Sequence, residues 1–114
     1  MLTRFQGSPL YAEMTAAECA LREVPYSIQR EDRTVESGTI DALFRSGGRW
    51  VLVEFKTDRI GGPADLERIL MQEDYVQQVA LYVAAAKQLL GERPKPVLCF
   101  LNCGGRVRLV DDRW

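Results

Sequence analysis

The chain has 114 residues, a formal net charge of −1 and no histidine. This length suits one domain with a single hydrophobic core, and 46% apolar with 27% charged residues is ordinary for a globular protein. The absence of histidine excludes Ser-His-Asp and Cys-His catalysis. A net charge of −1 does not indicate the basic surface that is expected of a protein that binds nucleic acid on its own.

The cysteines and the hydropathy indicate the cellular compartment in which the protein works. Cys19, Cys99 and Cys103 form no CxxC pair, which disfavours a disulfide framework and a zinc site and predicts small buried apolar residues. No apolar run approaches the ~20 residues of a membrane span, and the N-terminus lacks a secretory signal pattern. We therefore expect a single cytoplasmic domain over residues 1–114 with no membrane contact.

The first predicted element is a short amphipathic helix in "SPLYAEMTAAECALRE". Ser8 can cap it and Pro9 suits its first position. Apolar residues follow at helical spacing, namely Leu10, Met14, Ala17 and Leu21. Pro25 ends any helix, and "VPYSIQRED" then predicts a strand that leads into a charged loop.

The remaining chain alternates between strand and helix patterns. The segments "TVESGTIDALFRS" and "RWVLVEFK" predict two strands, and "TDRIGGPADLERIL" predicts a loop that becomes helical near Leu66. A long helix is predicted for "EDYVQQVALYVAAAKQLLGE", with Gly91 as its stop, followed by the strands "KPVLCFLN" and "RVRLVDD". The order of helix, three-stranded antiparallel meander, long helix and two strands predicts an α/β (α+β) fold with a mixed central sheet.

The turn between the second and third strands sets their register. Gly47-Gly48 suits a two-residue type I′ turn, because both central positions need a positive φ. Counting outward from that turn places Asp41 opposite Glu54, and Lys56 on the same face as Glu54. One face of the hairpin is therefore predicted to gather two carboxylates and an ammonium.

This arrangement leaves alternatives open. A three-residue loop would place Asp41 opposite Val53, on the wrong face. Two opposed carboxylates are destabilising, so a neighbouring cation is expected. Hard oxygen ligands favour Mg²⁺ or Mn²⁺ over zinc. The alternative without a metal is a solvated ion-pair cluster in a small structural α/β protein.

The long helix carries two predicted stripes. Tyr75, Gln78 and Tyr82 share one polar-aromatic face, because residues three or four positions apart are neighbours on a helix. The apolar stripe predicted to pack on the sheet consists of Val76, Val79, Val83 and Leu90.

These motifs, in order, resemble the PD-(D/E)XK nuclease superfamily in its RecB-like branch. The wording "GTIDALF…WVLVEFKTD" is similar to G-x-I-D followed by D-Y-K-T-D, and Gln78 with Tyr82 matches the branch's Q-x-x-x-Y. "REVPYSI" resembles the E-x-P-F strand and brings in Glu23. The nearest match in wording is the C-terminal nuclease domain of AddA/RecB-type helicase–nucleases of the UvrD superfamily. The resemblance implies a restriction-endonuclease-like core.

The resemblance also implies a set of metal ligands. Asp41 and Glu54 would hold Mg²⁺, with Mn²⁺ as a possible substitute, together with the backbone carbonyl of Phe55. Glu23 would lie near the site as a further ligand. The histidine that the branch normally carries on an upstream helix is absent. We therefore expect the chain to be a C-terminal fragment of a larger helicase–nuclease.

The other motif residues would act on DNA. Lys56 would orient or deprotonate the attacking water, Gln78 would support the metal site or a phosphate, and Tyr82 would contact the DNA backbone. Thr57 and Asp58 would hold the metal ligands in place without binding the metal themselves. With no group that reads base edges, sequence-independent binding of single-stranded DNA or a duplex end is expected.

The expected function is that of a magnesium-dependent DNA exonuclease domain in DNA-end processing and recombinational repair. No Walker A motif is present, so a UvrD-type helicase portion of the same or a partner chain would supply the motor. The alternative is a catalytically inactive module with the same fold that binds DNA or braces the helicase.

Overall fold

The computed structural model of the protein describes residues 7–104 and 106–111. The helices and strands of this part are, in chain order, α1 (Pro9–Thr15), β1 (Cys19–Gln29), β2 (Val35–Ser46), β3 (Arg49–Ile60), α2 (Pro63–Gln72), α3 (Tyr75–Leu90), β4 (Lys95–Cys103) and β5 (Arg106–Val110). None of the described helices is long and apolar enough to cross a membrane.

The five described strands form one mixed sheet in the order β1-β2-β3-β4-β5. The first three are antiparallel neighbours, β4 runs parallel to β3, and β5 is antiparallel to β4. A parallel pair needs a crossover, which α2 and α3 provide. The predicted α+β class with a meander, a long helix and two further strands is confirmed.

The sheet separates two apolar clusters. Helix α1 packs on one face through Leu10 and Met14, against a cluster that includes Phe44 and Val53. Helices α2 and α3 pack on the other face, in a cluster around Phe100 and other buried side chains. Strands β3 and β4 are therefore covered on both sides, which explains why they read as nearly continuous apolar runs.

The predicted hairpin turn is confirmed. Gly47 and Gly48 have φ values of 59° and 76°, as a type I′ turn requires. The β2–β3 pairs run from Ser46 opposite Arg49 outward to Ala42 opposite Val53. The three-residue alternative, which would have put Asp41 opposite Val53, is therefore excluded.

The first helix is shorter than predicted. The Ser8 hydroxyl accepts a hydrogen bond from the Tyr11 amide at 3.2 Å, as expected of a cap, but the helix ends at Thr15. Leu21 lies in β1 and pairs with Leu43. The helical spacing over residues 16–21 was misleading, because pairing with β2 satisfies this backbone and overrides local propensity.

The segment after β3 is more ordered than predicted. Strand β3 continues to Ile60, which pairs with Cys103 of β4. Helix α2 then begins at Pro63, a favourable residue for a first helical position. Before it, the Asp65 carboxylate accepts a hydrogen bond from the Gly61 amide at 2.8 Å.

Helix α3 ends as predicted at Gly91, whose φ of 79° suits a glycine stop. Its packing face is rotated from the predicted stripe, since Val79 and Val83 are buried but Val76 is 44% exposed. Tyr75 occupies the inward position instead and is buried. An aromatic residue classed with the polar stripe therefore belongs to the core, because its ring supplies more apolar area than Val76.

The cysteine prediction holds only in part. Cys99 is buried and Cys103 is half-buried, but Cys19 is exposed. Cys19 opens β1, the edge strand of the sheet, so one of its sides has no neighbouring strand among the described residues.

Candidate active site

Strands β2 and β3 separate beyond the Ala42–Val53 pair, and two carboxylates fill the gap. The Asp41 amide donates to Glu54 Oε1 at 3.0 Å, and the Phe55 amide donates to Asp41 Oδ2 at 2.8 Å. Each carboxylate thus accepts a backbone hydrogen from the opposite strand. The predicted meeting of Asp41 and Glu54 is present, although through side-chain to backbone bonds rather than a continued ladder.

The alternation of faces along β2 breaks next to Asp41. The β1–β2 pairing omits Glu23 and Asp41, and Glu23 has a φ of 50°. Ile40 and Leu43 both face the α3 cluster although they are three positions apart. Since successive strand residues alternate between faces, the alternation must break between them. Asp41 therefore sits at the break and reaches sideways toward β3.

Glu54 is the buried member of the pair, only 4% exposed. Burial raises the pKa of its carboxyl from 4.5 to about 7, and the nearby Asp41 charge acts in the same direction. The hydrogen bond from the Asp41 amide and the charge of Lys56 lower that pKa, but they do not overcome the burial. Among the described residues, neither Asp41 nor Glu54 is within ion-pair distance of a lysine or arginine.

Lys56 lies on the α3 side of the sheet. Its ammonium donates to Gln78 Oε1 at 3.3 Å and lies 4.2 Å from the centre of the Tyr75 ring. The Gln78 amide nitrogen donates to the Glu73 carbonyl at 3.1 Å. Because a carbonyl can only accept, this bond fixes the Gln78 amide so that its oxygen faces the ammonium.

Tyr75 and Asp58 extend the cluster along β3. The Tyr75 hydroxyl donates to Asp58 Oδ1 at 2.7 Å, and the Tyr75 ring packs against Phe100 at 6.1 Å between centroids. Burial and the Asp58 hydrogen bond raise the Tyr75 pKa, so its phenol remains a neutral donor. The sequence placed Tyr75 on the motif face of α3 without assigning it a partner.

Tyr82 lies beside Tyr26, a tyrosine that was not among the predicted site residues. The Tyr82 ring packs edge-on against the ring of Tyr26, on β1, with 5.6 Å between the ring centroids. Burial, followed by the charge of Glu54, raises the pKa of Tyr82 to about 12. A Cβ at Gly38 would lie 2.7 to 2.9 Å from the Tyr26 ring and hydroxyl. The glycine of "GTID" therefore makes room for Tyr26, which stands at the aromatic position of the E-x-P-F resemblance.

The donor set fits a hard divalent cation. Two carboxylates converge, one of them buried with a raised pKa and no ion-pair partner in the described part of the chain, so a cation there would offset a real electrostatic cost. Mg²⁺ is commonly held by one or two carboxylates, with water and substrate phosphate as further ligands. Residues 7–104 and 106–111 contain no group of three His, Cys, Asp or Glu side chains that could hold an ion. Glu23 is exposed. Its role as a metal ligand stays a prediction, and so does that of the Phe55 carbonyl.

The protein is thus an α+β domain with a mixed sheet in which Asp41 and Glu54 lie where the pairing of β2 and β3 ends. The charge of Lys56 acts on Glu54 from the same strand. No family model matches the chain. It is 32% identical, over 92% of its residues, to the AddA subunit of the ATP-dependent helicase/nuclease of Heliobacterium modesticaldum, and covers 8% of that protein. The corresponding proteins of Acetivibrio thermocellus and Clostridium kluyveri are 31% and 30% identical over 93% and 85% of the chain, which covers 9% and 7% of their lengths.

The chain is therefore similar in sequence to a segment of the AddA subunits of ATP-dependent helicase/nucleases. The similarity concerns one segment of those proteins, because the chain spans less than a tenth of their length.

Proposed function

We propose that the chain is a metal-dependent nuclease segment of a helicase/nuclease, and that it hydrolyses phosphodiester bonds in DNA. The observation that carries the proposal is the pair of hydrogen bonds from the Asp41 amide to Glu54 and from the Phe55 amide to Asp41. Lys56 follows Glu54 by two positions on β3. The names of the relatives, which join helicase and nuclease, support it. Exonucleolytic action in recombinational repair, and the PD-(D/E)XK RecB-like branch, belong to the same proposal.

The ligands of the metal would be Asp41 and Glu54, with the Phe55 carbonyl as the resemblance implies. Mg²⁺ held there would polarise a phosphoryl oxygen and lower the pKa of a bound water. Each of these carboxylates is held by an amide of the opposite strand before any metal binds. Preorganisation of this kind limits the reorganisation needed during the reaction.

Each of the remaining residues has a proposed task. Lys56 would orient the attacking water or deprotonate it, and its charge would stabilise the developing negative charge on the phosphate. Gln78 would hold the ammonium, as its fixed amide supports. Tyr82 would stay neutral at physiological pH, since its pKa is about 12, and would donate a hydrogen bond to a backbone phosphate oxygen. Contacts restricted to phosphates give sequence-independent binding, with the helicase portion delivering the DNA.

The second candidate is an inactive module of the same fold that binds DNA or supports the helicase portion. The observation that favours it is the lack of a third His, Cys, Asp or Glu side chain near the acidic pair, among the described residues. Metal binding separates the candidates, because an inactive module has no reason to bind a divalent cation at Asp41.

The first test is metal binding, followed through the melting temperature during titration with Mn²⁺ or Mg²⁺. Added metal should raise the melting temperature of the wild type and leave Asp41→Asn and Glu54→Gln unmoved. Glu13→Gln is the matched control, since Glu13 is an exposed carboxylate on α1, against the other face of the sheet. An equal response of wild type and Asp41→Asn would reject the metal site.

The second test is cleavage of labelled single-stranded and blunt duplex DNA in the presence of Mg²⁺. Lys56→Ala should abolish cleavage while the fold and the metal response remain. Undiminished cleavage by that variant would reject the role of Lys56. A wild-type chain that neither cleaves DNA nor responds to Mn²⁺ or Mg²⁺ would favour the inactive module.

A further inference from the structure

The contacts of Tyr75 set it apart from an ordinary core tyrosine. One side of its ring faces the Lys56 ammonium at 4.2 Å, and the ring also packs against Phe100. Its hydroxyl donates to Asp58 at 2.7 Å. Lys56 and Asp58 are two positions apart on β3, and although the β3–β4 register shifts between Lys56 and Arg59, both side chains contact Tyr75. Tyr75 therefore joins two neighbouring charged residues of one strand through a single ring.

The Asp58 hydrogen bond should strengthen the attraction between the Tyr75 ring and the Lys56 ammonium. An ammonium over a ring face is attracted by the negative potential of the π electrons. A phenol that donates to a carboxylate is polarised toward the oxygen, which makes its ring richer in electrons. Asp58 and Lys56 therefore interact with opposite parts of the same phenol, and among the described residues no ion pair joins the two.

We propose that Tyr75, held by Asp58, is a positioning residue that directs the Lys56 ammonium toward the Asp41–Glu54 pair; this rests on the proposed function. The lysine side chain is long and flexible, and a single hydrogen bond to Gln78 at 3.3 Å does not fix its direction. The Tyr75 ring supplies the second restraint. Tyr75 begins α3, so the position of the helix relative to β3 sets the position of the ammonium.

The contact itself is tested by NMR of the metal-free chain. The ε-methylene protons of Lys56 should be shifted upfield by the Tyr75 ring in the wild type. This shift should persist in reduced form in Tyr75→Phe and Asp58→Asn, which keep the ring but lose its anchor, and should disappear in Tyr75→Leu. Phe44→Leu, an equivalent truncation in the cluster around α1, should leave the shift unchanged. A wild-type shift equal to that of Tyr75→Leu would overturn the proposal.

The effect on the reaction is tested by steady-state cleavage kinetics with Mg²⁺. Cation–π contacts correspond to about 2- to 30-fold in an equilibrium or rate. We expect kcat to fall about 10-fold in Tyr75→Leu and about 2- to 3-fold in Tyr75→Phe and Asp58→Asn, with KM for DNA unchanged. Phe44→Leu should keep the wild-type kcat at a temperature where it is folded.

The outcomes separate the positioning role from the proposed function. A wild-type kcat retained by folded Tyr75→Leu, or lost equally in Phe44→Leu, would overturn positioning alone. If Tyr75→Leu does not fold, Tyr75→Phe and Asp58→Asn decide, and a wild-type kcat in both would overturn positioning. No cleavage by the wild type would refute the proposed function, while the NMR comparison would still report whether Tyr75 positions Lys56.

Discussion

Replacing Glu54 by glutamine should stabilise the metal-free protein at neutral and alkaline pH, although Glu54 is a buried hydrogen-bonding residue. Glutamine keeps an oxygen that can accept from the Asp41 amide, as Glu54 Oε1 does at 3.0 Å. It removes the charge that burial disfavours in the folded state. The stabilisation is therefore electrostatic and should depend on pH.

The pH dependence of the stability follows from the different Glu54 pKa values in the folded and unfolded protein. The unfolded protein releases the Glu54 proton near the ordinary pKa of 4.5, whereas the folded protein releases it near 7. Between these values the unfolded state binds fewer protons, so the free energy of unfolding falls as the pH rises. The stability that the protonated Glu54 carboxyl contributes is fully present below pH 4.5 and lost above about 7. The loss amounts to about 3 kcal/mol of the free energy of unfolding.

The assay is urea unfolding followed by tryptophan fluorescence, with a chelator, at pH values from about 4.5 to 8.5. Hydrogen bonds lower the pKa values of Asp32 and Asp65, from Thr34 and from the Gly61 amide respectively. Their ionisation therefore lies below the window and is shared by both proteins. The wild type should lose stability across the window, and Glu54→Gln should lose much less.

Two results would refute this reasoning. One is a wild-type pH slope equal to that of Glu54→Gln, which would mean that Glu54 titrates normally in the folded state. The other is a Glu54→Gln protein that is less stable than the wild type at pH 8, which would mean that the carboxylate is stabilised without metal. If the proposed metal site exists, Mg²⁺ at pH 8 should restore stability to the wild type only.

Three further predictions concern the scaffold, each measured as a change in the free energy of unfolding. Gly38→Ala should cost about 1 to 3 kcal/mol, because its Cβ would lie within 2.9 Å of the Tyr26 ring; a cost below 0.5 kcal/mol would mean that Tyr26 moves freely. Gly47→Ala has open space around it but a φ of 59°, so it should cost about 1 to 2 kcal/mol from backbone conformation alone. Val79→Ala should cost about 1 to 3 kcal/mol, whereas Val76→Ala, at a site that is 44% exposed, should cost less than about 1 kcal/mol; equal costs would contradict the observed packing face of α3.

Local features were predictable because their causes are local. The φ requirements of Gly47 and Gly48 fix the turn, and the turn fixes the register of β2 on β3. That register brings Asp41 to Glu54 across only a short loop. The stop of α3 at Gly91 follows from the same freedom of glycine.

Errors arose where a distant partner decided the outcome. Residues 16–21 have a helical pattern, yet Cys19 and Leu21 pair with β2 far along the chain. Val76 and Tyr75 are both apolar enough for the core, and the placement of α3 on β3 and β4 selected Tyr75. Side-chain spacing gives the faces of a helix but not which face a sheet will cover.

The sequence alone therefore determined which residues meet in the hairpin and which face of α3 carries Gln78 and Tyr82. Only the tertiary structure decided how Asp41 and Glu54 meet, because each carboxylate accepts a hydrogen bond from a backbone amide of the opposite strand where the β2–β3 pairing ends. The burial of Glu54 and the stacking of Lys56 on Tyr75 depend on α3 closing over the sheet. Desolvation and ring stacking are properties of packed surfaces, and residue spacing does not encode them.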